Sequence, residues 1–480
     1  MEPVFPFPLT LPDPARGTLT QALHRQLRDA IVSGQIAAGS VLPSTRRVAD
    51  ALQLARNTVI ATYDLLIAEG YALPRRNAPP AVADLLGRQG RVRHAVLPRQ
   101  QPSFGPAWLR LPPRESPSDV VAPSFRLGVP DHRHFPHAEW RRLTAREQRR
   151  LARQPFTYGP PTGMPALREA IARHVAFTRA VACTGDDVIV TAGAQQAFDL
   201  IARLLVTPGE TRVAVEDPGY PPMRAAFGAA GAVVQGVPVD EQGLKVEVLH
   251  PDTDIVVVTP SHQSPTGVVL STARRHALLA FAQEHGSVII EDDYDSEFRF
   301  HGRPLDALQT LDLNACVLYV GTFSKSLFPS LRKGFIVAPA WAREALTTVK
   351  FFADSHCDVL TQMVLASFIE EGHLARHLRR MCTHYAVRRK ELLAGLNDYL
   401  SDWLEPMPSE AGLHLAARIR DPRCAPLVYA AARKHLPGVQ ASQEYVISNA
   451  APPAIIFGYG LVDIEAIGPA LRAFHGALRR

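Results

Sequence analysis

The stretch GTFSKSLFPSLRKG, residues 321–334, sets one lysine, Lys325, in a turn of small residues after the apolar run VLYV, with Arg332 seven positions on. A lysine amine presented this way can attack a carbonyl and condense with it to an imine. Other apolar runs end on comparably reactive groups. VIVTAG leads into Ala194 and Gln195, VAVED into Tyr220, and VVVTP into His262, Gln263 and Ser264. The run VII is followed by Asp292 and Tyr294, and VLYV itself by Thr322, Ser324 and Lys325. Taken singly, each of these groups is ordinary. A lysine in such a turn is more often a surface lysine, and the tyrosine of DPGY could be only a turn aromatic.

The set gains meaning from the elements that must carry it. Most of the runs are short, β-branched and apolar without alternation, as in a largely parallel sheet covered by helices on both faces. In that architecture the strand ends and the loops after them build the ligand site. An amine, an acid, a phenol, hydroxyls and a glycine-opened helix N-terminus would then converge on one rim. The helix N-terminus and hydroxyls suit a phosphate, the carboxylate a protonated ring nitrogen, and the lysine an aldehyde. Together they describe a pocket for pyridoxal 5′-phosphate.

The other end of the chain is of a different character. Residues 1–115 carry 14 arginines, no lysine and 8 acidic residues, an excess equal to the net charge of +6 of all 480 residues. A positive excess confined to one end suggests a polyanionic partner there. The segment from Leu19 to Gly34 spaces Leu23, Leu27 and Ile31 on one helical face; a second helix starts after Ser44, a plausible N-cap; a third ends at Gly70. Three short helices with a tight second connection predict a helix-turn-helix. Beyond it the periodicity fades into a region rich in proline and arginine, expected to be a linker with one short helical piece near Ala81 to Leu86. The expected division is 1–82 for the DNA-binding domain, 83–123 for the linker and 124–480 for the ligand-binding domain.

The apolar fraction of 46% and charged fraction of 20% are those of a globular protein. The opening residues lack the charge and apolar pattern of a signal peptide, and no apolar run approaches the roughly 20 residues of a membrane span. Five scattered cysteines fit a reducing compartment better than a disulfide framework or a zinc site. A cytoplasmic protein is expected.

The segments TYGPPTGMPALREAIARH, VTAGAQQAFDLIARLL, EDPGYPPMR, TPSHQSPTG, IIEDDYDSEF and GTFSKSLFPSLRKGF resemble the motif series of fold-type I aminotransferases. The TPSHQ, EDDYDSEF and GTFSK versions resemble those of MocR regulators, a subgroup of the GntR family, and LPSTRRVADALQLARNTVIATYDLLIAEGY is similar to the winged helix of that group. The resemblance implies an N-terminal winged helix-turn-helix followed by an α/β aminotransferase-like domain with a smaller C-terminal α+β subdomain. It implies Lys325 as the Schiff-base lysine, Asp292 on the pyridine nitrogen and Tyr294 on the ring hydroxyl. Thr322, Arg332 and the amides of Ala194 and Gln195 would hold the phosphate. Tyr220 would stack on the ring, and Tyr158 would reach the phosphate of the other subunit in a head-to-tail homodimer. Arg46, Arg56, Asn57 and Thr58 match positions that face double-stranded operator DNA.

Three departures stand out. Ser264 replaces the asparagine of NPTG, so the ring-hydroxyl contact is weakened or passes to His262 or Gln263. No arginine lies between Arg433 and Arg472, where these enzymes bind the substrate carboxylate; Arg126 or an arginine of a second subunit could substitute. In the wing, Asn77 and Pro79 replace glycines and require a different turn, and Ala55 replaces a helix-capping serine. The expected function is transcriptional regulation through sensing of pyridoxal phosphate, alone or with a small amine or amino acid. The rival readings are a working aminotransferase with an accessory N-terminal domain and a dimerisation scaffold that has lost its cofactor.

Overall fold

The computed structural model describes residues 4–11, 19–84, 124–155, 157–300, 305–448 and 451–479. The chain divides into two compact units, 1–103 and 104–480. The expected linker lies almost wholly outside the described residues.

The first unit contains α1 (Leu19–Val32), α2 (Thr45–Leu52) and α3 (Arg56–Ala68), followed by β1 (Ala72–Arg75) and β2 (Ala78–Val82). Leu23 and Leu27 of α1, Val48 of α2, and Val59 and Leu66 of α3 are fully buried against one another, as their spacing demands. The Ser44 hydroxyl accepts from the Arg47 amide at 3.3 Å and caps α2. Ala55 has the extended backbone of an N-cap, φ −62° and ψ 134°, with no side-chain bond to offer α3.

β1 and β2 pair antiparallel through a turn in which Asn77 takes φ 56°, the region asparagine tolerates. Pro79 lies in β2, outside the turn. Of the helical piece expected near Ala81 to Leu86, the described residues are not helical: 78–82 are extended, and 85–86 lie outside the described residues. The Pro80 carbonyl accepts from the Leu42 amide at 2.9 Å and the Val82 amide donates to Ser40 at 2.8 Å. Long-range pairing on both edges of β2 overrides its local pattern.

The second unit is built on an eight-stranded sheet of β3 (Val188–Thr191), β4 (Arg212–Asp217), β5 (Val233–Asp240), β6 (Gly243–Leu244), β7 (Ile255–Val258), β8 (Val288–Asp293), β9 (Val317–Thr322) and β10 (Gly334–Val337). Its order is β3-β10-β9-β8-β7-β4-β5-β6. The run from β5 through β4, β7 and β8 to β9 is parallel, and β10 is antiparallel to both its neighbours. Both faces are covered: Phe335 and Val337 enter one core cluster and Ile336 the opposite one. β5 and β6 are additional to the runs read from the sequence; VVQGVPVD contains Gly236 and Pro238 and is mostly half-buried or exposed, so it lacks the signature of a central strand.

Helices α4 (Pro165–Arg179), α5 (Ala194–Leu205) and α6 (Pro221–Ala229) flank this sheet. A smaller subdomain follows, with α7 (His373–Leu400), α8 (Ala425–His435) and α9 (Ile464–Leu478) against the antiparallel strands β11 (Leu404–Pro406), β12 (His414–Ile419), β13 (Gln440–Ala441) and β14 (Ala454–Gly458). This is the expected α+β piece. Residues 124–131 form a strap across it: the Phe125 amide donates to Pro437 and its carbonyl accepts from Gly458, both at 2.8 Å. Among the described residues, no helix is long and apolar enough to cross a membrane.

The empty cap of α3 gives a direct test. Ala55→Ser should stabilise the first unit by about 1 kcal/mol, read as a higher-melting transition of the full-length protein.

Candidate functional site

The carboxyl ends of β4, β7, β8 and β9 face one rim, which gathers residues distant in sequence. Asp292, near the end of β8, is 5% exposed, and its Oδ1 has no hydrogen-bond partner among the described residues. Burial pushes its proton affinity well above the usual carboxylate range; Asp293, Glu216 and Asp295 push the same way, against the Lys325 ammonium. Glu216 at the end of β4 is raised to about 7 by burial, although it accepts from the Thr259 amide and hydroxyl and from the Gln263 amide.

Lys325 lies in the turn after β9, and its Nζ donates to the Gly128 carbonyl of the strap at 2.8 Å. A Cβ on Gly128, which has φ +64°, would come within 2.3 Å of that nitrogen, so only glycine lets the strap approach so closely. The Tyr294 hydroxyl donates to the His262 carbonyl at 2.8 Å and lies 3.2 Å from His262 Nδ1. Burial holds its proton far above the ordinary phenol range.

A second group of residues suits an anion. Gly193 (φ +86°) opens α5, so the amides of Ala194 and Gln195 have no partner within the helix and sit at its positive end. The Arg332 guanidinium donates to the Ala192 carbonyl, and a Cβ on Gly193 would lie 2.8 Å from its Nη2. Thr322 Oγ1 lies 3.0 Å from Ser324 Oγ and accepts from the Ser324 amide at 3.2 Å. Tyr220 stands at the start of α6, half-buried against the core beneath β4. Tyr158 stands apart: it is 87% exposed, and its ring meets only His356 among the described aromatic contacts.

These features fit pyridoxal phosphate. A buried carboxylate oxygen without a partner awaits a cation, an amine is held opposite, and a glycine-opened helix end with an arginine beside it is shaped for a phosphate. The two candidates for the ring-hydroxyl contact separate. Gln263 is consumed structurally, donating to Pro218 and Ser264 at 2.8 Å and accepting from Thr266, whereas the His262 ring abuts Tyr294. Near β14, Arg388 is bound to Asp131 and the Gly460 carbonyl, and Arg389 donates to the Ser409 carbonyl.

In the first unit, Arg46, Arg56 and Asn57 are exposed at the N-terminal ends of α2 and α3, and Thr58 is half-buried. Arg56 Nε donates to Thr45 Oγ1 at 3.5 Å, tying the two helix starts. Sequence reasoning missed Arg47 and the wing-tip pair Arg75 and Arg76, all exposed; the run of arginines in the first unit was the available signal. It also missed Glu216, whose neighbour Asp217 in VAVED gave no hint of which acid faces the rim.

Comparison with known proteins gives two family matches: aminotransferase class I and II over residues 125–441, and bacterial regulatory proteins of the gntR family over residues 19–79. A probable rhizopine catabolism regulatory protein, MocR, of Rhizobium meliloti is 39% identical over 400 residues, covering 82% of this chain and 80% of that one. The pyridoxine biosynthesis transcriptional regulator PdxR of Corynebacterium glutamicum is 31% identical over 447 residues, 93% and 92% of the two chains. Among solved structures, kynurenine aminotransferase of Pyrococcus horikoshii superposes with a TM-score of 0.71 at 25% identity, over 78% of this chain and 96% of that one.

The electrostatics predict a pH dependence. A carboxyl whose proton affinity is higher in the folded state stabilises the fold below its unfolded pKa, and that stability is lost as pH rises through the folded value. For Glu216 the window runs from the ordinary glutamate range through about 7. Urea unfolding of cofactor-free protein should show stability falling across that window, with a shallower fall in Glu216→Gln and in Asp292→Asn. Unchanged slopes in both variants would contradict the reading of the rim.

Proposed function

The chain belongs to the MocR subfamily of GntR-type transcriptional regulators, and from that premise we propose that it is a DNA-binding switch whose aminotransferase-like unit senses pyridoxal 5′-phosphate, alone or with a small amine or amino acid. Pyridoxal phosphate is its cofactor; Lys325 would hold it as a Schiff base, its amine condensing with the aldehyde with loss of water. Asp292 holds the ring nitrogen and thereby gains the cation its burial lacks. Tyr294 donates to the ring hydroxyl. Thr322, Arg332 and the amides of Ala194 and Gln195 bind the phosphate, and Tyr220 lies against the ring. Tyr158, exposed in the single chain, reaches the phosphate site of a second copy in a head-to-tail homodimer.

The working division is 1–82 for DNA reading, 83–123 for a linker and 124–480 for sensing and dimerisation, in the cytoplasm where operator DNA is found. α3 enters the major groove with Arg56, Asn57 and Thr58 near base edges, while Arg46 contacts phosphate. Arg47, Arg75 and Arg76 add backbone contacts. A coupling of roughly 1–3 kcal/mol between cofactor and DNA suffices for a graded switch.

One observation carries this reading: a buried Asp292 whose Oδ1 has no hydrogen-bond partner among the described residues, within the field of Lys325, in a chain that also carries a GntR reading head. Sensing is favoured over amino-acid turnover because β14 and the turn after it offer no arginine for a carboxylate clamp. The PdxR relative is named for regulating pyridoxine biosynthesis, which supports the cofactor itself as an effector.

Reconstituted protein should show a visible absorption band that Lys325→Ala removes, and its mobility shift on the DNA upstream of its own gene should change when cofactor is added. Multiple-turnover amino transfer without DNA binding would establish the enzyme reading instead. Arg46→Ala should weaken binding uniformly across sequences and lower the salt slope by about 1. Arg56→Ala should cost about 1–3 kcal/mol and relax specificity at one base pair.

A further inference from the structure

Behind Tyr294 lies a polar chain that the cofactor contacts do not use. His262 is 2% exposed, and its ring is held from three directions. Nδ1 lies 2.9 Å from Asp295 Oδ1 and 3.2 Å from the Tyr294 hydroxyl, and Nε2 lies 3.1 Å from Ser409 Oγ. Asp295, 1% exposed, uses its other oxygen to accept from the Leu413 amide at 3.1 Å. Ser409 Oγ also lies 3.2 Å from the Ala411 carbonyl oxygen. Glycine is what lets the ring sit here: a Cβ on Gly412 would lie 2.0 Å from its Cε1, and one on Gly267 3.3 Å from its Nε2.

The direction of these bonds has a consequence. A carboxylate accepts only, so the Nδ1 facing Asp295 carries a hydrogen. Tyr294 therefore meets an N–H edge, to which its own hydroxyl hydrogen cannot be given. That hydrogen goes to the His262 carbonyl at 2.8 Å when nothing else is present. We propose that Asp295 and His262 are positioning residues for Tyr294, keeping the phenol's one hydrogen available for the ring oxygen of the bound cofactor. The loop after β7 thus supplies, through His262, the support that Ser264 cannot give with the reach of an asparagine, although the Ser264 hydroxyl also bonds Tyr294. Removing the Asp295 carboxylate removes the acceptor that fixes the hydrogen on Nδ1, so the imidazole can take its other tautomer and capture the phenol hydrogen with the Nδ1 lone pair.

This inference rests on the pyridoxal phosphate reading above. A donor on the ring oxygen weakens that oxygen's hold on the proton it shares with the Lys325 linkage, so loss of the donor raises the pH at which the linkage deprotonates. The other groups facing the site remain in every variant: Asp292, Glu216 and Lys325, with His414 kept neutral by burial at 4.6 Å from the His262 ring.

The experiment is an absorbance titration against pH of full-length protein reconstituted with pyridoxal phosphate. Tyr294→Phe and Asp295→Asn should each raise the midpoint by about one pH unit, a tenfold change in proton affinity. The double variant should rise no further than Tyr294→Phe alone, because Asp295 acts only through the phenol. His262→Gln, which removes the ring while keeping a polar side chain of similar reach, is the second variant in case Asp295→Asn does not fold, and the same rise is expected. An Asp295→Asn or His262→Gln midpoint equal to wild type, or a shift that adds fully to that of Tyr294→Phe, would overturn the positioning role alone. A wild type with no band would overturn the cofactor reading as well.

Discussion

Residues 291–293 place three carboxylates in a row at the end of β8, and strand alternation sends the middle one to a different side from its neighbours. Asp293 is matched by the Arg179 guanidinium of α4 at 2.7 Å and the Tyr319 hydroxyl at 2.6 Å. Glu291 accepts from the Leu308 and Gln309 amides, both at 2.9 Å. Asp292 alone is buried with an oxygen that no described residue satisfies. Burying an unpaired carboxylate costs several kcal/mol, and the group avoids that cost by keeping its proton until a cation arrives. The rim therefore suits a cationic group beside Asp292, and the lysine, the phenol and the helix N-terminus belong to the same rim.

That arrangement separates what a linear reading can find from what it cannot. Lys325, Asp292 and the opening of α5 were legible because each follows its own apolar run, and a parallel sheet brings the ends of such runs together. The three helices of the first unit were legible from period and caps, including the missing cap at Ala55. The wing was expected from the resemblance alone; its second strand was not legible in the residues, because Pro79 and Pro80 look like a break until the carbonyl of Pro80 is seen bound to Leu42. β5 was missed for a related reason, its glycine and proline being tolerated at the exposed side of the sheet. The His262–Asp295–Ser409 chain was out of reach altogether: its ends are 147 residues apart, and nothing in TPSHQ distinguishes a histidine facing the rim from a glutamine that ties a loop.

The strap gives the same chemistry a mechanical side. Lys325 holds the Gly128 carbonyl, while Phe125 and Asp131 fasten the strap's ends to the C-terminal subdomain through Pro437, Gly458 and Tyr385. An amine committed to a cofactor no longer has the same hydrogens for that carbonyl. On the proposed reading, occupancy at the rim would alter the bonding of the segment that directly follows residues 85–123. A ligand shifts an equilibrium only by its preference for one arrangement over the other, and the loss of this contact is one source of such a preference.

The proposed coupling between cofactor and DNA must be reciprocal. The most direct measurement is the affinity of the full-length protein for pyridoxal phosphate, titrated by absorbance with and without saturating DNA from upstream of its own gene. The account predicts that the two dissociation constants differ by about 5- to 150-fold, the same factor by which cofactor changes the affinity for that DNA. Equal constants, with DNA demonstrably bound, would contradict it.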